Sequence, residues 1–120
     1  MSNPCAHIID QPSAHTTALV ALLESVGFDV AVSNDPVVAE TNARVWFINM
    51  DLPDIDLAGL IASASQQESA EVFLMADEDD APQVRQAIAQ GASYFFCKPL
   101  DVDFLQPLLA DVFEEARQTV

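Results

Sequence analysis

Apolar positions along the chain keep two rhythms that take turns. "CAHIID" (5–10) is a short apolar run closing on an acid, and after it Leu19, Leu22, Leu23 and Val26 stand at helical spacing before Gly27. The first pattern predicts a buried strand, the second an amphipathic helix with a glycine placed to end it. "FDVAVS" (28–33) predicts a second strand, and "NDPVVAETNA" (34–43) has the Asn/Asp-Pro start of a helix with room for only about two turns. "RVWFIN" (44–49) predicts a third strand, and Leu57, Leu60, Ile61 and Ala64 mark a third helix. "EVFLMA" (71–76) predicts a fourth strand, followed by the acidic "DEDDAP" and a helix around Val84, Ala87 and Ile88 that stops at Gly91. "SYFFC" (93–97) predicts a fifth strand, and Leu105, Leu108, Leu109, Val112 and Phe113 stripe a final helix.

Strict alternation of five such units implies α/β architecture with one parallel sheet covered on both faces. Both faces of each strand are then buried, so the strands read as continuous apolar runs. Right-handed crossovers make this a doubly wound (βα)5 fold. Its site is expected beyond the carboxyl ends of the strands, where strand order reverses. Those ends carry Asp10 and Gln11, then Asn49 and Asp51, then Met75 and Ala76, and last Cys97, Lys98 and Pro99.

The 120 residues suit one domain, 1–120. Hydrophobic residues form 51% of the chain, which excludes a disordered one. The net charge of −15, from 19 acids against Arg44, Arg85, Lys98 and Arg117, repels polyphosphate, so no direct nucleic-acid binding is expected. Cys5 and Cys97 match no zinc spacing and read as reduced thiols of a cytoplasmic protein; Cys5 and His7 share a strand face but lack a ligand cluster around them. His15 is expected on the surface of the first helix. No apolar run reaches membrane-spanning length, no signal-peptide pattern is present, and no Gly-rich phosphate loop follows the first strand. No cofactor is expected.

The acid after the first strand, the "DLPDID" loop after the third and "KP" after the fifth resemble the receiver domain of two-component response regulators. The resemblance covers nearly the whole chain and implies strand order 2-1-3-4-5, with a shortened second helix. In that family two acids after the first strand and an aspartate ending the third bind magnesium, and this aspartate takes a phosphoryl group. A Ser or Thr ending the fourth strand, an aromatic in the fifth and a Lys before Pro read the modified state. Carried over by position, Asp10 matches the first acid and Gln11 replaces the second. Counting back from Pro53 places Asn49 at the phosphoacceptor. Met75 falls at the hydroxyl position, Phe95 at the switch aromatic, and Lys98 is retained.

An amide cannot supply the attacking carboxylate oxygen, and magnesium prefers anionic oxygen, of which Asp10 alone is left as a weak candidate. The pocket is therefore expected to be degenerate and phosphorylation-independent, with an Asp10–Lys98 ion pair and neutral Asn49 and Gln11 beside it. Asp51 is the alternative phosphoacceptor, and a small-ligand sensor using the strand-end crevice is a further alternative. The expected function is signal transduction without catalysis, regulating transcription through protein contacts or homodimerisation. The family's surface of fourth helix, fifth strand and fifth helix supplies the candidates Val84, Ile88, Tyr94, Phe96 and Phe104. The final helix has no Gly or Pro stop, so an effector domain is expected to follow in a longer parent chain.

Overall fold

A computed structural model describes residues 4–11, 13–33, 43–50, 59, 61–62, 71–76, 81–89, 91–97 and 102–118. The elements are β1 (Cys5–Ile9), α1 (Ala14–Val26), β2 (Asp29–Ser33), β3 (Val45–Asn49), β4 (Glu71–Ala76), α2 (Ala81–Ala89), β5 (Tyr94–Cys97) and α3 (Val102–Gln118). Residues 59, 61 and 62 are helical, as the third predicted helix requires, whereas the predicted second helix lies outside the described residues.

All strand pairs are parallel and the order is β2-β1-β3-β4-β5, as expected. Alternate residues of each strand enter opposite cores. Ala6, Ile8, Val45, Phe47, Phe73 and Met75 meet Leu19, Leu22 and Leu23 of α1 and Leu105, Leu109 and Val112 of α3. Ile9, Trp46, Ile48, Val72, Leu74 and Ala76 meet Ile61 and Ala87 on the other face. Every residue of β3 is buried, which is why its sequence shows no polar alternation.

Three strands begin one residue later than their apolar runs. Phe28 belongs to the helix end, because its N–H and that of Gly27 both donate to Leu23 O at 3.1 Å. Arg44 and Ser93 lead into β3 and β5, their N–H groups donating to Cys5 O and Val72 O. Gly27 has φ 128°, a conformation costly for any residue with a Cβ, and here it closes α1. An aromatic ladder crosses the first face, with Phe47 and Phe73 stacked at 4.7 Å and Phe73 and Tyr94 at 4.9 Å between ring centroids.

Candidate functional site

The parallel sheet delivers Asp10 and Asn49 to the same end of neighbouring strands, β1 and β3. Both are buried, at 5% and 7% exposure, and a buried carboxylate demands hydrogen-bond donors. Asn49 Nδ2 donates to Asp10 Oδ1 at 2.7 Å, and the Gln11 N–H donates to the same oxygen at 2.7 Å. Thr16 Oγ1 lies 3.4 Å from Asp10 Oδ2 and donates to Gln11 O at 2.7 Å. The partners of Asp10 among the described residues are thus neutral. Sequence reasoning missed Thr16, although a hydroxyl three residues after the N-cap Ser13 was visible; Ser13 Oγ accepts from Thr16 N at 3.2 Å.

The fold places two further predicted site residues. Gln11 reaches Asp10 through its backbone, and its side chain is exposed. Met75 is fully buried in the core beneath α1 and α3, whereas Phe95 packs with the core on the opposite face. The residue that ends β4 and shares Phe95's face is Ala76. Met75 does stand in register with Asn49, and its carbonyl accepts the Met50 N–H at 2.8 Å. Neither Met75 nor Ala76 carries a hydroxyl.

Lys98 and Asp51 lie outside the described residues, as does the side chain of Val84. Of the remaining surface candidates, Ile88 (42%), Tyr94 (39%) and Phe104 (62%) are exposed, while Phe96 is half-buried. Phe96 links two of them, 6.4 Å from Tyr94 and 6.2 Å from Phe104 between centroids.

Of the two histidines, His15 differs from expectation. His15 is half-buried, with Nε2 inside the protein. His7 is buried and stacked on Trp46 at 5.2 Å, whereas Cys5 is exposed, and the His7 ring nitrogens have no hydrogen-bond partner among the described residues. Burial pushes the His7 imidazole below its ordinary value, because the charged form loses its hydration.

A five-stranded parallel sheet in this order, with an acid following β1 beside the end of β3, is shared with known proteins. The fold is that of a response-regulator receiver domain. A CheY-like receiver domain from Methanospirillum hungatei superposes with a TM-score of 0.79 at 15% identity, covering 98% of this chain and 99% of that one. The receiver domain of the sensor histidine kinase PA1611 from Pseudomonas aeruginosa, with magnesium coordinated in its active-site cleft, gives 0.74 at 16% identity, covering 94% and 99%. In sequence, the chain is 28% identical over 116 residues to the transcriptional regulatory protein ZraR of Klebsiella oxytoca, covering 92% of this chain and 26% of that protein. It is 30% identical over 109 residues to the tetrathionate response regulatory protein TtrR of Salmonella typhimurium, covering 86% and 53%. The chain therefore spans about a quarter to a half of the length of these relatives. No protein-family model matches it. No helix among the described residues is long and apolar enough to cross a membrane.

Proposed function

We propose that this chain is a receiver-type signalling domain that works without phosphoryl transfer, by binding a protein partner or a second copy of itself. The observation that carries this reading is the 2.7 Å hydrogen bond from Asn49 Nδ2 to Asp10 Oδ1. Aspartyl phosphate forms when a carboxylate oxygen attacks phosphorus; at Asn49 the corresponding oxygen is an amide carbonyl, weakly basic because its electrons are shared with nitrogen.

The residues present also do not fit a magnesium ion. That ion wants hard anionic oxygens and gives up its water reluctantly. Gln11 supplies a neutral, exposed amide where the family has an acid, and Asn49 turns N–H groups toward the one carboxylate left. Asp10 Oδ1 already accepts two hydrogen bonds of 2.7 Å. With alanine and methionine at the end of β4, no hydroxyl is offered there to follow a phosphoryl group.

In this reading residues 1–120 are one non-catalytic, cytoplasmic domain, joined in its parent protein to a C-terminal effector that regulates transcription. The names of the relatives and the shares of their length that are matched support it. Exposed Ile88, Tyr94 and Phe104 are the candidate contact residues, with Phe96 between the last two; Val84 is a candidate from the sequence.

The test is incubation with acetyl phosphate and, separately, beryllofluoride, each with millimolar magnesium, followed by intact mass and amide-shift mapping. We expect neither a phosphoryl adduct nor shifts around Asp10. An adduct mapped to Asp51 would replace this reading with phosphorylation at a displaced aspartate. A rise in melting temperature with small metabolites and no adduct would favour a ligand sensor.

A further inference from the structure

The hydrogen bonds of the strand-end pocket lead toward α1. The loop that carries Asp10 is fastened to the first turn of that helix by Thr16, a buried hydroxyl at 4% exposure. Its proton goes to Gln11 O at 2.7 Å, and its backbone N–H is capped by Ser13 Oγ at 3.2 Å. The Gln11 backbone, whose N–H donates to Asp10 Oδ1 and whose carbonyl accepts from Thr16, joins the carboxylate that holds Asn49 to the start of α1 in one network.

The other end of α1 is fastened to α3. It stops at Gly27, where a Cβ would stand 2.7 Å from the Phe113 ring, so helix end and ring already touch. Phe28 meets the same ring edge-on, with centroids 5.3 Å apart. Between the two ends, Leu19, Leu22 and Leu23 share a core with Leu105, Leu109 and Val112. Close-packed interiors are poorly compressible, so a displacement at one end of such a helix is passed along it. The end of β4 offers no hydroxyl in this chain.

We propose that the pocket is coupled to α3 through α1, with Thr16 as the positioning residue between Asp10 and the helix. This rests on the reading that Asn49, and not a phosphoryl group, sets the state of the pocket. A rearrangement at Asn49 changes the hold on Asp10, shifts the β1–α1 loop and alters the seat of Phe113 against Gly27.

Amide hydrogen exchange on the 120-residue chain tests this, comparing the parent with Asn49→Ala, Thr16→Val and Thr16→Ser. We expect Asn49→Ala and Thr16→Val each to quicken exchange in the first turns of α1 and in residues 108–115 by about tenfold, with Tyr94–Cys97 within about twofold of the parent. Thr16→Ser keeps the hydroxyl and should keep the parent pattern. Quickening confined to β4 and β5, or spread equally over the whole sheet, would overturn the proposal. If Asn49→Ala does not fold, the Val and Ser pair at Thr16 decides alone. A phosphoryl adduct in the mass experiment would end the phosphate-free reading, while the Thr16 pair would still report the mechanical link.

Discussion

At Asn49 the side chain is an amide and not a carboxylate, and this decides what the position can do with Asp10. Two carboxylates at hydrogen-bond distance repel unless a cation stands between them, whereas an amide N–H complements Asp10 directly. Asn49→Ala removes that donor from a buried acceptor and is expected to lower stability by about 1–3 kcal/mol, read from urea denaturation. His7 sets a second residue-scale expectation. Its folded-state pKa is lowered by burial, so the unfolded chain takes up the proton first as pH falls. Its contribution to stability is complete above about pH 6.5 and is lost as pH drops from there toward the lowered folded value. A single site of this kind gives a slope of at most about 1.4 kcal/mol per pH unit. His7→Phe should flatten that limb of urea midpoints measured between about pH 5 and 7, the range in which an ordinary imidazole titrates.

Among the elements, α1 is the one whose two ends are fixed by different chemistry, hydrogen bonds at Ser13 and Thr16 and ring packing at Gly27. Gly27→Ala would place a methyl group against Phe113 at a positive φ that alanine adopts at a cost. The expected loss is about 1–3 kcal/mol, measured as a lowered urea midpoint with unchanged slope. Truncating the neighbour in Gly27→Ala/Phe113→Ala should remove the steric part but not the backbone part. The helices and strands were largely legible in the sequence, since β4 matches its apolar run, 71–76, and α3 carries its predicted stripe inward. The face that Met75 occupies was not recoverable from spacing. A strand buried on both faces gives no polar alternation, so nothing in "EVFLMA" says which residues point toward Phe95.

For the whole molecule the dominant quantity is the net charge of −15. Self-repulsion of that size opposes compaction and self-association alike, and salt screens it, the Debye length shrinking from about 30 Å at 0.01 M to about 10 Å at 0.1 M. The melting temperature is therefore expected to rise with sodium chloride over that range, in a differential scanning measurement. Homodimerisation through Tyr94 and Phe104 should appear in sedimentation only as salt is raised, and Phe104→Ala should weaken it. A salt-independent melting temperature would mean that the net charge does not limit stability.

The order of elements, the doubly wound parallel class and the amide at the end of β3 are determined by the sequence alone, because apolar periodicity and residue identity are local properties of the chain. Only the tertiary structure decides that Asn49 Nδ2 donates to Asp10, that Thr16 joins them and that Met75 turns away from Phe95. These depend on strand register and pleat, which bring residues 39 positions apart within 2.7 Å and which no local pattern encodes.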